Sequence, residues 1–199
     1  ELVYDCMDAL GQTQLIDKDI ASCLYLGIMT DTGSFKFSST TARTHQVASS
    51  LMGKGAEAHL IQQQTFDANS FNQLKLLGKA LDNLEYLKEH HTAYIHLSQD
   101  EMDSFNSQKG DTEGFVNYGL SIKDVVLAGI FKEDKQQNII KISFRSKGNF
   151  DVNKFARKHF EGGGHKNASG GKSELSLEKT IEKFVNLLDD YKTELENAL

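Results

Sequence analysis

Glu161-Gly162-Gly163-Gly164-His165-Lys166-Asn167-Ala168-Ser169-Gly170-Gly171 is the stretch around which the rest of the chain is organised. Five of the chain's 16 glycines lie here, around a single histidine. Glycine has no Cβ and admits positive φ, so backbone N–H groups can close directly on a ligand. Successive amides can form a concavity for an anion, and a following helix N-terminus would add partial positive charge. Because a linker or helix C-cap rarely embeds His, Lys and Asn among its glycines, the stretch favours an anion-binding loop.

The overall composition is that of a globular protein with one large domain or two small ones. The chain has 199 residues, 39% hydrophobic and 25% charged, and a formal net charge of −6. An acidic balance argues against a long non-specific grip on duplex DNA, but it leaves room for a small phosphate pocket. No apolar run approaches the ~20 residues that span a bilayer. We therefore expect a cytoplasmic protein without a membrane partner, and buried free thiols at Cys6 and Cys23.

The first residues have the pattern of an amphipathic helix. Apolar residues recur at helical spacing from Leu2 to Leu10, and the chain starts without methionine at Glu1. A helix that begins without a cap or an initiator predicts that this is the later part of a longer protein.

The first third of the chain predicts further helices. A buried helix follows an N-cap at Asp17, and it leads to a strand-like alternation at Phe35–Phe37. Residues 38–41 supply N-cap candidates for a helix over 42–52, and a short helix follows over 56–64.

The remainder predicts an α+β order of elements. A leucine-rich helix over 69–89 is the candidate boundary between two domains. Ser98 and Glu101 form a capping box for a helix that follows a strand. The predicted elements are strands over 91–97, 124–131 and 138–145, a polar loop over 106–114, a charged hairpin turn over 132–137, and helices over 151–159 and 176–198.

Asp31 is a candidate metal ligand. It lies at a helix end within Thr30-Asp31-Thr32-Gly33, where a carboxylate can ligate a hard divalent cation. An aspartate beside threonines is more often a turn or a cap, and no other Asp/His cluster with ligand spacing lies nearby. The local sequence alone therefore favours the structural role.

Arg145, Ser146 and Lys147 are candidate phosphate-binding residues, together with His165. The three end an apolar strand, where an arginine fork and a lysine charge suit phosphate oxygens. His165, within its glycine frame, can donate to a phosphoryl oxygen or act as an acid near neutral pH. One helix separates the strand end from the glycine stretch, so the two can converge; the alternative is a solvated strand terminus.

Together these motifs resemble a known family, the DHH phosphoesterases with a DHH-associated C-terminal domain. Residues 162–170 are similar to the signature loop of that C-terminal domain, with Ser169 where alanine is common. Residues 27–35 resemble the last metal-binding motif of the catalytic domain, and residues 143–146 resemble the basic strand end. The motifs occur in the family's order over nearly the whole chain. Within the family, the resemblance is to bacterial oligoribonucleases that also dephosphorylate 3′-phosphoadenosine 5′-phosphate.

The resemblance implies an α/β two-domain protein. Residues 1–66 would be the helical end of a Rossmann-like catalytic domain, 67–90 a linker helix, and 91–199 an α+β substrate-binding domain with a mixed sheet. It also implies two manganese ions, with Asp31 as one ligand, and a short single-stranded oligonucleotide or nucleotide as substrate. A homodimer is left open. The substrate-binding residues carried over are Arg145, Ser146, Lys147, Gly162, Gly163, Gly164, His165 and Asn167.

One departure from the family pattern matters. The Asp-His-His and Asp-x-Asp motifs do not occur in this chain. We therefore expect no catalytic residue here, and little or no activity from the 199 residues alone, whereas the parent protein would hydrolyse phosphoesters. The alternatives are a cyclic-dinucleotide phosphodiesterase, a RecJ-like single-strand exonuclease, an exopolyphosphatase, and, in another class, a non-catalytic nucleic-acid-binding module.

Overall fold

A computed structural model describes residues 1–37 and 39–198, and these form two compact units. The first unit is Glu1–Asn69 and the second is Ser70–Leu199. No helix in the described ranges has the length and apolar character needed to cross a membrane. The assignment of residues 1–66 to a catalytic domain, 67–90 to a linker and 91–199 to a substrate-binding domain stays a prediction.

The first unit is helical. Asp17 caps the second helix as predicted, since its Oδ1 accepts a hydrogen bond from the Ile20 N–H at 2.9 Å. Thr41 caps the third helix in the same way, through the Thr44 N–H. The helices are α1 (Leu2–Ala9), α2 (Lys18–Asp31), α3 (Ala42–Gly53) and α4 (Ala58–Phe66), with a 3-10 turn at Thr13–Leu15. One apolar cluster, which includes Tyr25, Met29 and Leu51, holds these helices together.

Helix α2 is amphipathic, and the prediction of a fully buried helix is wrong. Ile20 and Leu26 are 40% and 39% exposed, and the thiol-bearing residue Cys23 is also exposed. Cys6 is exposed as well, so the prediction that both thiols are buried is wrong. The apolar residues of this helix outnumber the positions that face the cluster, so some of them stay on the surface.

The segment after α2 is a turn, which contradicts the predicted strand at Phe35–Phe37. Gly33, Ser34 and Phe35 have φ of +56°, +58° and +65°. This left-handed run cannot join a sheet. It places Phe35 against Tyr25 and stacks it on His45, with ring centroids 5.2 Å apart. The cap candidate Ser38 lies outside the described residues.

The second unit is built on a mixed six-stranded sheet of order β1-β2-β3-β4-β6-β5. The β2–β3 pair is parallel and the other pairs are antiparallel, which confirms the predicted α+β class with a mixed sheet. Its strands are β1 (Leu84–Leu87), β2 (Thr92–Leu97), β3 (Leu127–Asp134), β4 (Ile139–Ser146), β5 (Gly163–His165) and β6 (Ala168–Ser173). Its helices are α5 (Phe71–Asp82), α6 (Gln99–Ser104), α7 (Val116–Ser121), α8 (Val152–His159) and α9 (Leu177–Glu196), with a 3-10 turn at Lys88–His90.

The predicted helix over 69–89 is too long. Helix α5 ends at Asp82, and Leu84 begins strand β1, where it pairs with Ile95. The Asn83 side chain stabilises this change of direction, since its Nδ2 donates to the His96 carbonyl at 2.9 Å. Leucines at helical spacing continue into β1, where they pack as a strand instead. The residues predicted as an interdomain linker helix are therefore a helix and an edge strand of the second unit.

The two faces of the sheet have different covers. On one face, α8 and α9 enclose an aromatic cluster in which Phe144 and Phe184 stack with ring centroids 5.8 Å apart. On the other face, the cluster under α5, α6 and α7 contains Ile95 and Ile130 from β2 and β3. Within the described residues, that second cluster includes no side chain from β4, β5 or β6. The sheet therefore continues beyond its helical cover on this face.

Candidate functional site

The glycine-rich stretch is a tight β-hairpin. Strands β5 and β6 pair from Gly163↔Gly170 to His165↔Ala168, so Lys166 and Asn167 form the turn. The prediction of a loop that leads into a helix N-terminus is wrong, because β6 intervenes and α9 starts only at Leu177. The frame of the site is therefore a sheet edge, and the start of α8 meets the hairpin turn, since the Val152 N–H donates to the Lys166 carbonyl at 2.8 Å.

The glycines of the hairpin permit close backbone packing. A Cβ on Gly162 would overlap the carbonyl oxygen of Gly170, and one on Gly171 would meet Phe160 Cβ at 2.9 Å. Gly164 has φ of +154°. The N–H of Gly162 donates to the Ala156 carbonyl at 3.2 Å. This amide is therefore engaged within the protein, and an anion would have to displace its partner.

A side chain that the sequence analysis overlooked holds the Gly164 amide. Asn153 Oδ1, on α8, accepts hydrogen bonds from the Gly164 N–H and from Arg157 Nε, each at 3.0 Å. Asn153 therefore anchors the edge strand β5 to α8. An asparagine on a short helix carries no sequence signal for this contact.

Ser146 and Asn167 join the end of β4 to the hairpin turn. The buried Ser146 Oγ donates to the Phe150 carbonyl at 2.8 Å and accepts from Asn167 Nδ2 at 3.0 Å. The Ser146 N–H also donates to the Asn167 carbonyl, at 3.1 Å. The structure thus brings these two predicted site residues together, with their polar atoms committed to the hairpin.

Arg145 and His165 lie in one row of the sheet. Both pair with Ala168, Arg145 from β4 and His165 from β5. Directly paired residues on antiparallel strands share a face, and two strand spacings amount to about 10 Å. This face is the one opposite α8 and α9, since its neighbours Phe144 and Gly171 pack against that aromatic cluster. Only the methyl group of Ala168 separates the two basic side chains along the row.

The Arg145 guanidinium is available for an anion. Its Nη1 donates to the Phe144 carbonyl at 2.9 Å, and within the described ranges it forms no ion pair with a carboxylate. Burial lowers the pKa of this guanidinium from its ordinary value, and the group nevertheless stays charged at neutral pH. A partly buried cation without a protein counter-ion favours an anionic ligand.

The other predicted basic residues are more exposed. His165 is exposed, and its ring makes no hydrogen bond to the residues that the structure describes; its carbonyl accepts from the Ser169 hydroxyl at 3.0 Å. Lys147 is also exposed, with its Nζ 3.3 Å from the Ile122 carbonyl and its N–H bonded to Val126. Among the described residues, the side chains of His165 and Arg145 thus form no hydrogen bond to another element, whereas Lys147 bonds to Ile122.

Asp31 belongs to the first unit. It is the exposed last residue of α2, on the wall of an open cavity of ≈ 600 Å³ that Cys23, Gly27 and Thr30 also line. The hydroxyls of Thr30 and Thr32 donate back to the helix carbonyls of Leu26 and Ile28, at 2.9 and 2.7 Å. In the part of the chain that the structure describes, no group of three or more His, Cys, Asp or Glu could hold a metal ion. One exposed carboxylate among the described residues is too small a ligand set for a metal site.

The fold and this row define a class of protein, an α+β domain with two basic side chains on one face of a mixed sheet near its edge. The DHHA1 domain model matches residues 91–194, more than half of the chain, and the chain therefore belongs to the DHHA1 family. These are the C-terminal domains of DHH-type phosphoesterases, as the sequence motifs predicted.

Individual relatives agree with this assignment. The chain is 33% identical over 181 residues to a probable bifunctional oligoribonuclease and PAP phosphatase NrnA of Streptococcus mutans, covering 89% of this chain and 56% of the relative. It is 28% identical over 187 residues to the Thermus thermophilus protein described as bifunctional oligoribonuclease and PAP phosphatase NrnA, covering 93% and 54%. The chain spans about half the length of the curated relatives it matches.

A solved structure supports the fold. The crystal structure of an exopolyphosphatase-related protein from Bacteroides fragilis superposes with a TM-score of 0.94 at 38% sequence identity. The match covers 98% of this chain and 57% of that protein.

Proposed function

We propose that this chain binds the terminal phosphate of a short oligonucleotide or a nucleoside bisphosphate, as the substrate-binding part of a phosphoesterase. The observation that carries the proposal is the pairing of Arg145 and His165 with one alanine, on an open sheet face. Arginine supplies a planar fork for two phosphate oxygens, and the imidazole supplies one further donor. The names of the relatives, which specify oligoribonuclease and PAP phosphatase activity, favour this ligand class.

The remaining predicted site residues shape the pocket in this proposal. Ser146 and Asn167 fix the turn, and Gly162, Gly163 and Gly164 let β5 approach its neighbours closely. Lys147 adds positive charge at the strand end. None of these residues acts as acid, base or nucleophile, so bond cleavage is assigned to other parts of the parent protein.

Manganese-dependent hydrolysis by the parent protein remains part of the proposal. Divalent cations supply a Lewis acid and an activated water in phosphoester hydrolysis. Asp31 would contribute one ligand, and further ligands would come from residues outside the described set. A cytoplasmic location is also part of this proposal.

Binding by variants of the 199-residue chain tests the phosphate site. Arg145→Ala and His165→Ala should each weaken binding of 3′-phosphoadenosine 5′-phosphate about 10-fold or more, since a hydrogen bond to a charged group contributes ~1.5–3 kcal/mol. Arg145→Lys should restore part of the affinity, because it keeps the charge and loses the fork. Isothermal titration calorimetry measures each dissociation constant.

The control is His59→Ala, which removes an exposed histidine in the first unit. Affinity that is unchanged in both site variants would remove the phosphate pocket. Parallel titrations with a linear dinucleotide, a cyclic dinucleotide and polyphosphate decide between the members of the substrate class, since the tightest ligand identifies the preferred one.

A further inference from the structure

A row of three lysines crosses the same sheet face, two rows away from Arg145 and His165. Lys132 on β3 pairs with Lys141 on β4, and Lys141 pairs with Lys172 on β6. Like charges directly opposite each other on neighbouring strands destabilise a sheet. Three such residues in one row therefore need a reason beyond folding.

Lys132 carries the clearest uncompensated charge of the row. It is partly buried, and its Nζ donates to the Thr112 hydroxyl at 2.6 Å. In the described ranges it forms no ion pair, although the negative charge of Glu113 favours its charged form. Burial lowers the pKa of its ammonium group, and the charge of Lys141 lowers it further. An anion beside these two lysines would offset their mutual repulsion and favour their charged forms.

The other two lysines have partners that an anion can replace. Lys141 lies 2.6 Å from an Asp134 carboxylate oxygen, and Lys172 lies 3.1 Å from one of Glu161. Both lysine side chains are nearly half exposed, at 46% and 47%. The Lys172–Glu161 pair is exposed on both sides and contributes little to stability, so a phosphate can compete for Lys172. Lys141 keeps an exposed ammonium group, although its partner Asp134 is only 19% exposed.

The floor between the two basic rows is open and made of small residues. Ser143, Gly170 and Gly163 form the row between them. Gly170 is exposed, and a Cβ added to it would have only the Ile142 carbonyl oxygen within 4 Å, at 3.7 Å. Four residues along β4 separate Arg145 from Lys141, a distance of about 13 Å. The face is thus a short track with positive charge at both ends.

We propose that this track holds a single-stranded oligonucleotide, with its terminal phosphate at Arg145 and His165 and its following phosphates at the lysine row. The proposal rests on the proposed function and adds to it a reason for preferring chains of several nucleotides over nucleoside bisphosphates. Charge complementarity selects an extended polyanion, because only such a ligand meets both rows at once, and the proposed function makes that polyanion an oligonucleotide. In this proposal the lysines bind phosphates, so binding does not depend on the base sequence.

Two variants of the 199-residue chain test the track. In Lys132→Met/Lys141→Gln/Lys172→Gln, affinity for a 5′-phosphorylated oligoadenylate of six nucleotides should fall roughly 30-fold, about threefold for each exposed charge contact. Affinity for 3′-phosphoadenosine 5′-phosphate should stay within twofold of wild type. The slope of log K against log salt for the hexanucleotide should become shallower by about 0.7 per lost contact. Gly170→Leu blocks the floor and should weaken hexanucleotide binding in the same selective way.

Matched controls separate the track from general charge and from misfolding. Lys135→Gln removes a lysine of the neighbouring hairpin turn, and Gly78→Leu adds a side chain where a Cβ would have nothing within 4 Å. Both should leave hexanucleotide binding unchanged, and thermal unfolding followed by circular dichroism checks that every variant is folded. Equal affinity of wild type for the hexanucleotide and the bisphosphate, or equal losses for both ligands in the triple variant, would overturn the track alone. Absence of wild-type binding to either ligand would instead remove the phosphate site itself.

Discussion

At the scale of single residues, Asn153 helps to position His165, because it holds the amide of the preceding residue, Gly164. Asn153→Ala should detach the Gly164 amide from α8, because one carboxamide oxygen accepts from both Gly164 and Arg157. We expect a loss of about 1 kcal/mol in the free energy of unfolding, and weaker binding of 3′-phosphoadenosine 5′-phosphate. Urea unfolding and calorimetric titration measure the two effects.

The matched variant for this prediction is Asn153→Asp. An aspartate keeps the accepting oxygen and should retain both stability and affinity close to those of wild type. Wild-type affinity in Asn153→Ala would mean that the hairpin is held without this contact, and Asn153 would then have no positioning role.

The sequence indicated the candidate ligand-binding side chains, but it did not indicate the residues that hold them in place. Arg145 and His165 carry chemistry that is visible in the sequence, at a strand end and among glycines. Asn153 and the pairing of Ser146 with Asn167 depend on which elements meet in three dimensions, and no local pattern encodes that. The hydrogen-bond partners of the glycine amides could not be predicted either. Gly162 donates to Ala156 and Gly164 to Asn153 because the hairpin packs on α8.

At the scale of elements, Glu101 joins α5 to the start of α6. Its carboxylate accepts hydrogen bonds from the Ser98 N–H at 2.8 Å and Asn83 Nδ2 at 3.0 Å, and it lies 3.2 Å from Lys79 Nζ. Burial raises the pKa of this carboxyl group, but the hydrogen bonds from Asn83, Ser98 and Lys79 together outweigh it and hold the pKa at about 2. The charged form is therefore the one that stabilises the fold.

The pH dependence follows from the sign of this shift. The pKa is lower in the folded state than its ordinary value of 4.5, so the stabilisation is complete above pH 4.5 and is lost as the pH falls towards 2. Glu101→Gln should lower the free energy of unfolding by about 1–2 kcal/mol at pH 7, and by less at pH 3. Urea unfolding at both values checks this, with the exposed Glu89→Gln as control. A difference of equal size at pH 7 and pH 3 would contradict the assigned role.

Elements with local start and stop signals were predictable from the sequence. The caps at Asp17, Thr41, Ser98 and Asp151 each begin a helix where the pattern indicates. Elements decided by pairing were not. The leucines of 84–87 continue a helical spacing and yet join β2 as a strand, and the glycine stretch reads as a loop until its register with β4 is known. Helix α7, with a glycine at position 119 and no side-chain cap, has no such signal.

At the scale of the whole molecule, the two units carry different parts of the predicted chemistry. Every proposed phosphate contact lies in Ser70–Leu199, whereas the candidate metal ligand Asp31 lies in Glu1–Asn69. Motifs could indicate this division, because each motif is short and lies within one unit. The full set of metal ligands could not be predicted from these motifs, since metal coordination needs several side chains from separate elements.

This division predicts substrate binding without turnover. The 199-residue chain should bind 3′-phosphoadenosine 5′-phosphate equally well with and without manganese, because Arg145 and His165 need no metal to meet a phosphate. It should release neither phosphate from that ligand nor mononucleotide from a linear dinucleotide, since a single carboxylate is too small a ligand set for the two-ion clamp of phosphoester hydrolysis. Calorimetric titration of 3′-phosphoadenosine 5′-phosphate with and without manganese measures the binding. A phosphate-release assay and chromatography of the dinucleotide reaction measure turnover, and titration with manganese alone measures metal binding. Asp31→Asn is the matched variant and should change neither result, because one exposed carboxylate holds a divalent cation only weakly. Stoichiometric manganese binding that Asp31→Asn abolishes, or manganese-dependent turnover by the wild-type chain, would show that the ligand set is more complete than its described residues indicate.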